Sequence, residues 1–203
     1  MESFAYYSPV HILFGPGKRH DLGSLLKNKY QNVLLVMSKG PFRENGAYGD
    51  IKKSIEDAHI NLFEMDDIDS NPKLYSARQG VSICQEHNID CIIAMGGGSA
   101  MDCGKIIGAA AKMKADPFDL IWGERLSVTT SLDVITIPTF AATGTEVNNA
   151  AVMVDETTHE KYWAITKFPN YAIMDPELTL SVPLELTIWG AMDILSHTFE
   201  YYF

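Results

Sequence analysis

An α/β fold built on a parallel sheet is predicted by three observations. Short apolar runs of strand length alternate with segments of helical spacing. The clearest run, Asp90 to Met95, is followed at once by Gly96, Gly97 and Gly98 and then by an Ala- and Gly-rich stretch. The resulting order of strand, helix, strand, helix, strand, glycine turn and helix is that of βαβ units.

Asn32 to Met37 reads as a buried strand, an apolar run ended by Ser38, Lys39, Gly40 and Pro41. Gly49 to His59 carries Ile51, Ile55 and Ala58 on one side and charges on the other, the pattern of an amphipathic helix. Asn61 to Met65 is a shorter strand, leading into an acidic turn from Asp66 to Pro72. Leu74, Ala77, Val81 and Cys84 give Lys73 to Asn88 helical periodicity, and Ser99 to Met113 is helical in turn. Val134 to Ile137, Ala150 to Val154 and Tyr171 to Met174 supply further strands. From Pro183, which suits a first helical turn, Ile188, Met192, Leu195, Phe199 and Tyr202 form one apolar stripe. That helix runs into Tyr201, Tyr202 and Phe203 without a Gly or Asn cap or a basic last turn, which reads as a cut.

Composition narrows the partners. With 46% apolar and 21% charged residues in a chain of 203, a mostly disordered protein is excluded, and one large domain or one domain and part of another is expected. Sixteen basic against 26 acidic residues leave a net charge of −10, which argues against nucleic acid and anionic membrane as partners. No apolar stretch approaches the ~18 residues of a membrane helix, and no signal peptide opens the sequence. Cys84, Cys91 and Cys103 fit no zinc or disulfide spacing, so a reduced, cytoplasmic protein is the simplest reading.

The chemistry concentrates at Gly96-Gly97-Gly98-Ser99-x-x-Asp102-x-x-Lys105, a turn between strand and helix. Glycines let a ligand approach the backbone, and a helix N-terminus offers free N–H groups and a positive dipole to an anion such as pyrophosphate. The alternative is a plain capping box, Ser99-x-x-Asp102, and the two can coexist.

This segment resembles the corresponding turn of the iron-containing (group III) alcohol dehydrogenase family. So do Ile137-Pro-Thr-Phe-Ala-Ala-Thr-Gly-Thr-Glu-Val147, Ile173-Met-Asp-Pro-Glu-Leu178 and Gly190-Ala-Met-Asp193-Ile-Leu-Ser-His197, in the same order, with Asn71-Pro72 and Lys161 between them. The branch it is most similar to contains butanol dehydrogenases and broad aldehyde reductases. The resemblance runs through the whole chain but covers only the front half of such a protein. It implies a Rossmann-like, parallel-sheet dinucleotide-binding domain over residues 1–182. Residues 183–203 would begin an all-helical, metal-binding domain that is truncated here.

Site roles follow from the same resemblance. Gly96, Gly97, Gly98, Ser99 and Asp102 would hold the pyrophosphate, and Asn71 would lie on the adenosine side. Thr139 and Thr143 would line the path to the nicotinamide, with Lys161 and Leu180 adding contacts. The plainer reading of Thr139 and Thr143 is turn and cap chemistry, and of Lys161 a solvated surface charge. A carboxylate after the first βα strand binds ribose hydroxyls and repels a 2′-phosphate. This chain has Ser38 there, with Lys39 and Arg43 nearby, so NADP(H) is expected over NAD(H), unless Ser38 is only a cap or turn residue.

Asp193 and His197 lie four apart and project from one helix face, where an isolated pair is ordinarily a surface hydrogen bond. The resemblance makes them two of four metal ligands, for Fe2+ or Zn2+, the other two being later histidines. His11, His20, His59, His87 and His159 receive no role, and no residue stands out as a general base.

The implied activity is Lewis-acid-assisted hydride transfer between a nicotinamide cofactor and a small alcohol or aldehyde. The alternatives are a non-catalytic nucleotide-binding fragment, or a relative that dehydrogenates glycerol or polyol phosphates or performs a dehydroquinate-type cyclisation. The N-terminal segment Phe4 to Phe14, with Tyr6, Tyr7, Val10, Ile12 and Leu13, could pair two copies or serve as an intramolecular edge strand.

Overall fold

The computed structural model describes residues 3, 5, 7–123 and 125–203. Six parallel strands form the central sheet: β1 (His11–Phe14), β2 (Asn32–Ser38), β3 (Asn61–Ile68), β4 (Cys91–Gly96), β5 (Asp133–Pro138) and β8 (Tyr171–Met174). Their spatial order is β1-β8-β5-β4-β2-β3. The helices are α1 (Leu22–Leu26), α2 (Ala47–Asp57), α3 (Leu74–Glu86), α4 (Gly98–Met113), α5 (Pro117–Ile121) and α6 (Leu184–Tyr202).

Strand alternation sends side chains to two cores. Val33, Leu35, Met37, Ile93 and Met95 pack with Leu22, Leu26, Ile51 and Ile55 of α1 and α2. Leu34, Val36, Ile92 and Val134 pack on the other face with Leu74, Ala77 and Val81 of α3 and Ile106 and Ile107 of α4. Because both faces are covered, the central strands read as unbroken apolar runs, each fully buried Leu, Ile or Val contributing about 1.5–3 kcal/mol. The arrangement is Rossmann-like.

Several sequence expectations are adjusted. The acidic turn begins later than expected, because β3 continues to Ile68 as the outer strand, where Arg43 pairs with both Glu64 and Asp66. Ala150–Val154 (β6) is not in the sheet. It forms an antiparallel hairpin with an unforeseen strand, β7 (Lys161–Ile165), in register from Ala150↔Ile165 to Val154↔Lys161. The hairpin lies over α4, where Val152 N donates to Asp102 Oδ2. The N-terminal strand pairs within the chain, with β8, while Phe4 and Tyr6 lie outside the described residues.

Behind the sheet end, Asp175 is 2% exposed and ties three segments together. It accepts hydrogen bonds from Gly17 N, Arg19 N, Arg19 Nη1 and Glu177 N. Burial by itself raises this carboxyl, but donation from Arg19 and the backbone N–H groups outweighs it and holds the carboxyl below its ordinary value. The depressed folded value means the contribution is complete above the unfolded carboxylate range and is lost as pH falls through the folded one. An Asp175→Asn chain is therefore expected to be about 2 kcal/mol less stable than wild type near neutrality. In urea titrations, the gap between the two should narrow below pH 4.

Candidate functional site

The chain reverses direction across the sheet at β2 and β4. From β2 it moves outward to β3, and then crosses back to place β4 on the other side of β2. Ligands of open α/β sheets bind at the carboxyl ends of strands at such a switch point. Here a cleft of 730 Å³ opens beside Ser38, Lys39, Asp69, Gly97, Ser99 and Thr139.

Gly96 ends β4 with φ of 141° and meets Ser38 across the strands. A β-carbon on Gly96 would lie 2.0 Å from Ser38 Oγ, so only glycine fits between the two strand ends. Gly97 N donates to Ser38 Oγ at 3.4 Å, and Gly96 O accepts from Thr139 N at 3.0 Å. The turn is thus held from both neighbouring strands. α4 begins at Gly98, and its N-cap, Gly97, carries no side-chain cap. The capping box is not formed, because Ser99 sits inside the helix and its Oγ accepts instead from Asn71 N at 3.2 Å. The first N–H groups of a helix have no intrahelical partner, which suits an anion at this mouth.

Asn71 has φ of 59° and is drawn in from a second direction. Lys161 Nζ donates to Asn71 Oδ1 at 2.9 Å, so the lysine is no mere solvated charge. Ser99, Asn71 and Lys161 therefore form one chain of contacts over the glycine turn, although they are distant in sequence. Thr143 is exposed, yet its Oγ1 lies close to Gly98, and it borders a shallow groove with His197 of α6. Leu180 is 82% exposed and does not line the cleft.

Asp102 does not face the cleft mouth. Oδ1 accepts from Thr145 Oγ1 and Oδ2 from Val152 N, which commits both oxygens to the hairpin side of α4. Burial raises this carboxyl against the opposing pull of Lys105. Lys105, which was given no role from sequence, is 1% exposed. Its Nζ reaches Thr145 O and Oγ1, Asn148 O and Oδ1, and Ala150 O, and lies 3.7 Å from Asp102 Oδ1. Burial pushes its ammonium down to about 8, with Asp102 opposing. The pair is an internal peg that fixes the loop between Thr139 and Ala150.

The cations invoked for a 2′-phosphate are both engaged. Lys39 Nζ donates to Asp69 Oδ1 at 2.6 Å. Arg43 pairs with Glu64 and Asp66 and lies 4.0 Å over the Tyr48 ring. Both cations thus already face carboxylates, which offsets the charge that the NADP(H) expectation relied on.

On α6, His197 Nε2 lies 3.7 Å from Asp193 Oδ1, one turn apart. Among the described residues no group of three His, Cys, Asp or Glu side chains could close around an ion. The nitrogen and oxygen donors suit Fe2+ or Zn2+, but they make half a coordination shell. Gly190 is the only buried residue among those described in α6. A β-carbon there would meet Ala141 O at 2.8 Å, so the helix touches the loop after β5 through bare backbone.

Residues 9–176 match the family profile of iron-containing alcohol dehydrogenases. The chain belongs to the iron-containing alcohol dehydrogenase family. It is 37% identical to a probable NADH-dependent butanol dehydrogenase 2 of Bacillus subtilis, covering all of this chain and 52% of that protein. It is 35% identical to the NADH-dependent butanol dehydrogenase A of Clostridium acetobutylicum, with coverage of 100% and 52%. The crystal structure of a Thermotoga maritima NADH-dependent butanol dehydrogenase A superposes with a TM-score of 0.93 at 32% identity, again over all of this chain and 52% of that one. The chain thus spans about half the length of these relatives within the iron-containing alcohol dehydrogenase family.

Proposed function

We propose that these residues form the cofactor-binding half of a nicotinamide-dependent, iron-type alcohol dehydrogenase or aldehyde reductase. The observation that carries this is the uncapped glycine turn at the switch point, opening on a cleft of 730 Å³ in a chain of this family. Gly96 to Ser99 hold the pyrophosphate through backbone N–H groups, while Asn71 and Lys161 close over its adenosine side. Thr139 and Thr143 border the path from the turn toward α6. Asp102 acts through Thr145 and Val152 rather than on the phosphates, since an ionised carboxylate can only accept hydrogen bonds. Leu180, exposed and outside the cleft lining, is given no cofactor contact in this reading.

A bound nicotinamide supplies hydride exchange, and a divalent ion supplies Lewis acidity toward an alcohol or carbonyl oxygen. Asp193 and His197 would hold such an ion together with donors from elsewhere in the protein. Residues 183–203 are proposed as the start of a separate helical unit, with residues 1–182 as the α/β domain. The support is that Leu186, Ile188, Met192 and Ile194, on different sides of α6, are all exposed. Small alcohols and aldehydes, butanol among them, are the proposed substrates, in keeping with the relatives' names.

NAD(H) is proposed ahead of NADP(H), reversing the expectation from Ser38. Its support is the pairing of Lys39 and Arg43 with carboxylates and the NADH dependence in the names of the relatives. A reducing, cytoplasmic setting is proposed from three buried, unpaired cysteines, Cys84 and Cys103 with thiols pushed up to about 12 by burial. No helix is long and apolar enough to cross a membrane among the described residues. A homodimer through β1 is proposed because Ile12 and Phe14 of this edge strand are exposed.

Fluorescence titration of the chain with NADH tests the reading. Saturable binding tighter than about 1 mM, weakened at least ~10-fold by Ser99→Trp at the cleft mouth, is the expected result. Failure of the wild-type chain to bind any nicotinamide dinucleotide would sink the proposal.

A further inference from the structure

The rim of the cleft carries a charged trio centred on Asp69. Lys39 follows Ser38 directly, and its Nζ lies 2.6 Å from Asp69 Oδ1. Lys73 approaches the other oxygen, Oδ2, at 3.5 Å. All three residues line the cleft with Ser38, Gly97 and Ser99. The hydrogen bond and attraction of Lys39, followed by Lys73, hold the Asp69 carboxyl below its ordinary value, so it is ionised at neutral pH. Arg43, by contrast, is absent from the cleft lining and is turned toward Tyr48, Glu64 and Asp66.

In folds of this kind the ribose of the adenosine lies at the end of the first βα strand, where a carboxylate excludes a 2′-phosphate. Position 38 is serine, so this strand end carries no such charge. The end of the neighbouring strand places one there instead, bound to the ammonium of residue 39. A 2′-phosphate entering this corner would have to displace Asp69 from two lysines while lying beside its charge. A 2′-hydroxyl could donate to the same carboxylate with both ion pairs intact.

We propose that Asp69, held by Lys39 and Lys73, is the residue that sets the choice of NAD(H) over NADP(H) in this chain. The proposal rests on the reading of the cleft as a nicotinamide dinucleotide site. Asp69 acts as a gatekeeper at the rim: neutralising it turns Lys39 and Lys73 from its partners into partners for the phosphate.

Titrations of the 203-residue chain with NADH and with NADPH test this, scored as the ratio of the NADPH to the NADH dissociation constant. Wild type is expected to bind NADH more tightly. Asp69→Asn should lower the ratio ~10-fold or more, the scale of one charge contact near a protein surface. Adding Lys39→Gln to Asp69→Asn should reverse most of that fall, because the phosphate then loses its nearer lysine. Asp57→Asn, remote on α2 and paired with Lys53, should leave the ratio unchanged. An unchanged ratio in Asp69→Asn, an equal fall in Asp57→Asn, or a wild-type preference for NADPH would each overturn the assignment while leaving the cofactor site standing. Binding of neither dinucleotide to wild type overturns both.

Discussion

A Lys105→Met chain is expected to lose about 3–5 kcal/mol of unfolding free energy, the cost of breaking a buried charged pair from one side. The side chain is 1% exposed and its ammonium serves the carbonyls of Thr145, Asn148 and Ala150 as well as Asp102. Methionine fills similar space but donates nothing. It would leave a buried carboxylate without its cation and carbonyl oxygens without a donor. Adding Asp102→Asn should recover part of the loss, since the stranded charge is then gone. Urea denaturation of the two variants measures both effects, and additive losses would refute the coupling. Amide hydrogen exchange should also rise in residues 145–150, the loop that Lys105 secures.

The second large effect is expected at the glycine turn. Gly96→Ala should cost about 2–4 kcal/mol, combining a positive φ with overpacking against Ser38. NADH affinity should fall at least ~10-fold with it, because the turn must shift to admit the methyl group. Gly97→Ala is the contrasting variant. Its φ is −80°, and a β-carbon there meets nothing nearer than Phe140 Cδ1 at 3.8 Å. Thermal unfolding should therefore separate two adjacent glycines that composition cannot tell apart. Equal losses at both positions would contradict this account of the turn.

The central sheet was legible because its strands are buried on both faces and read as apolar runs, as in Asn32–Ser38 and Cys91–Gly96. Where burial is one-sided, the apolar pattern is weaker. β3 continues through its acidic residues, since an outer strand tolerates charges that a central one cannot. β7 carries no sequence signal because Lys161, Trp163 and Ile165 are exposed and its pairing with β6 gives no apolar run. At the site, the glycine turn with Ser99 is plain from sequence, whereas Asn71 and Lys161 emerge only through family resemblance. Nothing local links Lys161 to Asn71, since the hairpin that joins them is tertiary. Lys105 stood in the same motif but its partners are largely backbone carbonyls, which every residue has and no pattern marks. Ser38 carries no charge, but the carboxylate that faces Lys39 comes from the end of another strand, which no local pattern links to residue 38.

The two rims of the sheet are unlike, and this limits how copies can join. Along β3, Glu64 and Asp66 face solvent with Arg43, a hydrated border that resists docking of another strand. Along β1, Ile12 and Phe14 are exposed and, among the described residues, no strand lies outside them. In the vocabulary of polymer chemistry such a sheet would be monofunctional, with one end open to joining and one end terminated. If two copies of the chain joined through β1, as proposed above, the pairing would close about a twofold axis and leave only the charged β3 rims outward, a geometry that would not extend into a filament.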